Sequence, residues 1–264
     1  MLGYHRPMGS TGSVRLERRD SVAWIVFERP EARNAMTLEM RARLLELLAE
    51  AEADADAAAI VVAGAGEHFC GGGDIASLAE LGDAWDGRTR TATAGALVSG
   101  VLHAEKPTIA IARGSVVGLG VSLFCACDLR LAGEDARFQA GFPGVGLIPD
   151  GGLLYLLPRL IGWGRARDWM LLGRPIDAPA AVAWGLASEA VASGSLAARA
   201  AEIGERLAGL SAQALALTKA GLRLSASGSF TDVLEFESVA QGALIAGPES
   251  RSRVAAFLAP RAER

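Results

Sequence analysis

The stretch Thr108-Ile109-Ala110-Ile111-Ala112-Arg113-Gly114-Ser115-Val116-Val117-Gly118-Leu119-Gly120 decides how this chain folds. Its first five residues are apolar or β-branched and read as a strand, and Gly114, Gly118 and Gly120 then punctuate a turn. Val121–Ala126 continues as a helix, and Leu129–Ala132 as a strand again. The same grammar appears upstream. The short strand Ala59–Ala63 runs into the loop Gly64–Gly73, after which Asp74 is placed to open a helix. Further back, Val14–Arg18 and Val22–Glu28 read as two strands. Thr37 then reads as the N-cap of a helix with Met40, Leu44, Leu47, Leu48 and Ala51 on one face. From about Pro175 the pattern turns helical, over 178–186, 196–209, 211–226 and 230–246. The expectation is an α/β core over 13–194, a helical C-terminal part over 195–264, and a flexible tail over 1–12.

With 264 residues, 51% hydrophobic and 21% charged, the chain can bury one large core. Its net charge of −4 supplies no basic field for nucleic acid or anionic membranes. The weakly polar run Ser115–Cys127 is too short and glycine-rich to span a bilayer, and the first twenty residues lack the apolar stretch of a secretory signal. Cys70, Cys125 and Cys127 are odd in number and lack zinc spacing, which fits reduced structural thiols in a cytoplasmic protein without a metal site. His5, His68 and His103 are far apart and read as tail, loop and helix surface.

The two glycine turns carry the chemistry. Glycine lets backbone N–H groups approach a ligand that a side chain would screen, and donors at a helix N-terminus favour a carbonyl oxygen that is becoming an oxyanion. The plainer reading is that these glycines serve only tight turns and close packing. Neither turn has phosphate-loop spacing.

Several segments, taken in order, resemble the crotonase (enoyl-CoA hydratase/isomerase) family. These are Glu28-Arg29-Pro30-Glu31-Ala32-Arg33-Asn34-Ala35-Met36, Phe69-Cys70-Gly71-Gly72-Gly73-Asp74-Ile75, Lys106-Pro107-Thr108-Ile109-Ala110, the second glycine turn, Cys127-Asp128-Leu129-Arg130, Ala136-Arg137-Phe138 and Val254–Leu258. The resemblance implies a spiral of β-β-α units with a helical C-terminal trimerisation region, assembly into homotrimers or hexamers, and an acyl-CoA thioester as ligand. Coenzyme A arrives with the substrate, so no separate cofactor is implied. The oxyanion hole falls on the backbone N–H groups of Gly73 and Leu119. CoA contacts fall on Arg33, Ala35, Gly71, Asp74 and Ile75. The acyl pocket falls on Leu78, Phe142 and Ser122, with Leu81 and Trp85 near it, and Phe257 and Arg261 lie where relatives often touch a neighbour's CoA.

Where hydratases of the family place two glutamates, this chain has Ser122 and Phe142, neither of which can move a proton near neutral pH. Asp150, in Gly146-Leu147-Ile148-Pro149-Asp150-Gly151-Gly152, resembles the catalytic aspartate of single-aspartate isomerases such as those acting on ring epoxides. The implied activity is isomerisation of an unsaturated acyl-CoA through an enolate, with Asp150 as acid and base. An atypical hydratase, a hydrolase or dehalogenase-like enzyme, and a catalytically silent CoA-binding paralogue are the alternatives. Asp150 as no more than a helix cap is the structural one.

Overall fold

The computed structural model describes residues 12–259; the rest of the expected tail, His5 and Arg261 lie outside that range. Strands β1 (Ser13–Arg19), β2 (Val22–Glu28), β3 (Ala59–Gly64), β4 (Thr108–Ala112), β6 (Leu129–Gly133) and β9 (Glu189–Val191) form one sheet in the order β1-β2-β3-β4-β6-β9. Only β1 and β2 pair antiparallel. A second sheet holds β5 (Ser115–Val117), β7 (Arg137–Gln139) and β8 (Ile176–Asp177). β4 leads into β5 and then helix α3 (Leu119–Ala126), and β6 leads into β7 and then α4 (Leu153–Ile161). An isolated bridge from Cys70 to Val116 gives the loop after β3 the same relation to the second sheet, before α2 (Ala84–His103). Each turn of the spiral therefore gives one strand to the large sheet and one extended segment to the small one.

Both faces of the large sheet are covered, which is why its strands are apolar almost without interruption. Along β2 the side chains alternate. Ala23, Ile25 and Phe27 join the core beneath α1 (Leu38–Ala53), α2 and α3, whereas Val22, Trp24 and Val26 join a second cluster with Leu196 and Ala200 of α7 (Leu196–Ala208). Burying a side chain such as Phe27 contributes about 1.5–3 kcal/mol. Thr37 caps α1 as expected, accepting from the Met40 N–H at 3.2 Å, and all five residues of the anticipated stripe are buried.

Helices α5 (Trp163–Leu172) and α6 (Ala178–Trp184) close the core, and α8 (Ala212–Ser225), α9 (Phe230–Ala246) and α10 (Pro248–Leu258) follow α7. Helix α8 is pinned to the sheet by Lys219, whose buried ammonium donates to Asp128 Oδ2 and to the Lys106 carbonyl. Helices α9 and α10 bury no residue, and Phe230 and Phe257 stand 78% and 80% exposed. Among the described residues no helix is long and apolar enough to cross a membrane.

Candidate active site

The first glycine turn is held by the segment that follows β2. Pro30 opens a 3-10 turn over Pro30–Ala32, and Arg33 and Asn34 then take left-handed backbone at φ 53° and 57°. The fully buried Asn34 amide stabilises that bend. Its Oδ1 accepts from the Arg29 N–H, and its Nδ2 donates to the carbonyls of Ala65 and His68. Three backbone bonds complete the seam: Gly71 N–H to Arg33 O at 2.7 Å, Met36 N–H to Gly72 O at 2.8 Å and Asp74 N–H to Met36 O at 3.0 Å. Because groups alternate along extended chain, Gly72 and Asp74 face Met36 and the Gly73 N–H faces away from it. That N–H has no hydrogen-bond partner among the described residues.

The second turn meets the first edge to edge. Cys70 N–H donates to Ser115 O and Val117 N–H to Cys70 O, while Gly118 adopts φ 53°, ψ −116° and starts α3. Leu119 is the first residue of that helix, so its N–H is one of the donors a helix leaves unpaired, and it too has no partner among the described residues. A Cβ on Gly72 would lie 3.1 Å from the Val117 carbonyl oxygen and 3.9 Å from the Leu119 nitrogen. The glycines thus bring two unpaired N–H groups to neighbouring positions.

One expectation needs correction. Only Leu119 sits at an α-helix N-terminus. Asp74 is followed by a 3-10 helix, Ala76–Glu80, because the Asp74 carbonyl that an α-helix would use is taken by Ser77 Oγ and Arg90 Nη2, each at 2.7 Å.

The turn that carries Asp150 packs against the second glycine turn, with a Cβ on Gly151 falling 3.0 Å from Leu119 Cδ1. Gly151 and Gly152 both have positive φ, and α4 begins after Gly152 with no side-chain cap. It is the Asp150 carbonyl that accepts from Leu153 N–H, so its carboxylate does not cap the helix. The fully buried Ser122 hydroxyl donates to the same carbonyl at 2.9 Å. Asp150 Oδ1 is buried and has no hydrogen-bond partner among the described residues. Burial pushes the Asp150 carboxyl above the usual aspartate range, and the positive fields of Arg41 and Arg90 pull it partly back. Leu147 and Ile148 of the same motif are exposed and do not cover the carboxylate; a Cβ on Gly151 would touch Leu119, Ser122 and Val98, and these pack around the turn.

Of the other anticipated residues, Phe142 is buried with its ring tip 3.6 Å from where a Gly118 Cβ would lie, and Leu78 is half-buried. The seam at Met36 gathers Arg33, Ala35, Gly71, Asp74 and Ile75. Arg33 and Ile75 are exposed, and Asp74 pairs with Arg29 at 3.2 Å. Trp85 is 69% exposed beneath the Arg88 guanidinium. The three cysteines are free and buried, with their thiols pushed up to about 12 by burial. Among the described residues no cluster of three or more His, Cys, Asp or Glu is placed to hold a metal ion.

Arg41 and Arg90 were not anticipated. Arg41 interrupts the apolar stripe of α1 at the position that shares a face with Leu44, Leu48 and Ala51, and a charge in such a stripe is a readable signal. Arg90 holds the equivalent place in α2 with Ala94, Leu97 and Val101.

A sequence model of the family described as "Enoyl-CoA hydratase/isomerase" matches residues 17–263.

The chain belongs to the enoyl-CoA hydratase/isomerase family.

Among its relatives in that family, a Mycobacterium tuberculosis protein named "Probable enoyl-CoA hydratase EchA14" is 37% identical over 93% of this chain and 94% of its own. The 1,2-epoxyphenylacetyl-CoA isomerase of Escherichia coli is 32% identical over 91% and 93%. The crystal structure of an enoyl-CoA hydratase/isomerase from Marinobacter aquaeolei superposes with a TM-score of 0.86 at 32% identity, over 93% of this chain and 96% of that one. The β-β-α spiral described above is therefore the crotonase fold.

Proposed function

We propose that this enoyl-CoA hydratase/isomerase family member isomerises an unsaturated acyl-CoA by moving a proton through a thioester enolate. The observation that carries the reading is the buried Oδ1 of Asp150, without a hydrogen-bond partner among the described residues, on a turn that packs against Leu119, whose N–H, like that of Gly73, is unpaired among them. The thioester oxygen lies between Gly73 N–H and Leu119 N–H, which stabilise it as charge builds during proton removal. Asp150 takes the proton from one carbon and returns it at another, and its raised pKa brings it nearer the strength of a useful acid and base at neutral pH. Ser122 braces the Asp150 turn through its carbonyl and offers no second carboxylate to hold a water. Phe142, Leu78 and Ser122 line the acyl pocket. Arg33, Ala35, Gly71, Asp74 and Ile75 contact CoA, which enters as part of the substrate.

The exposed apolar side chains of α9 and α10 support assembly into a homotrimer or a dimer of trimers through the C-terminal helices.

The test is solvent-deuterium incorporation into a panel of 2-enoyl and 3-enoyl-CoA thioesters, followed with double-bond position by mass spectrometry. Exchange or migration in the wild type, lost in Asp150→Asn, supports the reading. Thioesters that bind but exchange no deuterium in the wild type sink it.

A further inference from the structure

Two cations stand beside Gly73 with no ion-pair partner among the described residues. Arg41 and Arg90 are 3% and 7% exposed, on α1 and α2 respectively, and neither forms an ion pair among the described residues. Arg90 donates only to neutral oxygens, Ser77 Oγ at 2.6 Å and Asp74 O at 2.7 Å. Arg41 Nη1 donates to Arg90 O and Thr93 Oγ1, both at 3.0 Å, and its Nε is buried with no partner at all. Asp150 lies close enough for its field to act on both guanidiniums, yet it bonds to neither and its own Oδ1 is unpartnered. The site thus holds two guanidiniums against one carboxylate. Arginine does not shed its proton to relieve such a situation, and buried charge is ordinarily paired. Unused N–H donors on a planar cation are complementary to a carboxylate.

Position says where that carboxylate comes from. A Cβ on Gly73 would lie 2.8 Å from Arg41 Nη2 and 3.3 Å from Arg90 Nη2, so both cations flank the residue that offers its N–H to the thioester oxygen. The thioester oxygen proposed for that N–H is where the acyl chain begins, so Arg41 borders the start of the acyl group, and Arg90 joins it there while also holding the Asp74 carbonyl.

We infer that the acyl group itself carries a carboxylate: the substrate is a short dicarboxylyl thioester, and Arg41, with Arg90 beside it, receives the free carboxylate. The inference rests on the thioester site proposed above and is independent of whether Asp150 is the base.

Equilibrium binding separates the two, because saturated thioesters need no turnover. Calorimetry on the full-length wild type would compare succinyl-CoA with butyryl-CoA, and glutaryl-CoA with pentanoyl-CoA, with free CoA as reference. The dicarboxylyl thioester of each pair is expected to bind about tenfold tighter or more, the worth of one charge-assisted bond. Arg41→Gln should erase the preference while leaving butyryl-CoA within about twofold. Asp150→Asn should sharpen it by removing a like charge. Equal binding of both classes by the wild type overturns the inference and leaves the thioester site standing, and needs no variant to fold. A preference that survives in a folded Arg41→Gln also overturns it and reduces Arg41 to a clamp between α1 and α2. If neither class binds better than free CoA, the thioester site falls and takes the inference with it.

Discussion

Replacing Gly120 by alanine tests whether the proposed oxyanion site depends on contact between two loops. Gly120 lies in the first turn of α3, in ordinary helical backbone, so alanine meets no conformational penalty there. Its Cβ would however fall 2.5 Å from the Cys70 carbonyl oxygen and 2.9 Å from Cys70 Cβ. Carbon and oxygen at van der Waals contact need more than 3 Å, so the turns must part by roughly 0.5–1 Å. Cys70 cannot yield by rotating a side chain, because its carbonyl is the acceptor for Val117 and its N–H is bound to Ser115. The displacement passes directly to Leu119 and to Gly73, three residues beyond Cys70. A misplacement of this size at a site of charge development lowers kcat/KM by roughly 100-fold. Overpacking costs about 1–3 kcal/mol of stability in addition. Deuterium exchange into the best substrate gives the first quantity and urea denaturation the second. Gly95→Ala in α2, whose Cβ would meet nothing within 4 Å, is the control and should stabilise by about 0.5–1 kcal/mol without loss of activity. Gly120→Ala with kcat/KM within threefold of wild type would falsify the claim that the turns set the donor positions.

Other expectations follow from the same site. Asp150→Asn should abolish exchange yet raise the melting temperature at pH 7. The folded-state pKa is raised, so the native protein binds more protons than the unfolded chain in that window. Stability consequently falls as pH rises through it, and the penalty is complete above the folded pKa. Below the ordinary aspartate range near pH 3.9 the two melting temperatures should converge, and a constant difference from pH 3 to pH 8 would refute the account. The exchange rate of the wild type should fall on the acid side with an apparent pKa above 3.9, read from a kcat/KM profile; a limb at or below that value would contradict the burial of the carboxylate. Crotonyl-CoA hydration should remain far below the rate on the order of 100 per second typical of efficient enzymes, since Ser122 and Phe142 supply no second carboxylate. Lys219→Met should cost roughly 1–3 kcal/mol by removing the donor to Asp128 Oδ2 and the Lys106 carbonyl, measurable by denaturant titration.

Much of the fold was legible because its signals are local. The β2 strand, the Thr37 cap, the α1 stripe and both glycine turns are specified by residues within a few positions of each other. Helix α2 was legible only at its end, where His103 reads as helix surface. The Thr and Gly residues in its first half lower the helix preference that Ala supplies, and it is held by a cap from Asp83 and by burial of Ala94, Leu97, Val98 and Val101. The 3-10 turn at Ala76–Glu80 depends on Arg90 reaching back from the unrecognised part of that helix, so missing one meant missing the other. Asp150 was recognisable from its motif, but its freedom from capping is a fact of tertiary placement: two left-handed glycines carry the chain past the carboxylate before α4 starts. The buried arginines show the limit most plainly. Arg41 is one charge in an otherwise apolar stripe, and only the assembled structure reveals that the charge is buried beside Gly73 and Arg90 and not in solvent.

The seam joining Met36, Cys70, Gly72 and Asp74 has a consequence for amide exchange with solvent. The N–H groups of Met36, Phe69, Cys70, Gly71, Asp74 and Val117 are all engaged with backbone acceptors on other segments, so a segment that looks like a loop should exchange as slowly as the sheet beside it. Gly73 and Leu119 break that pattern: among the described residues neither amide has an acceptor, and Gly120 in the same first turn of α3 is likewise open. A thioester ligand at saturation should slow Gly73 and Leu119 more than free CoA does, leaving a footprint that marks where its oxygen sits.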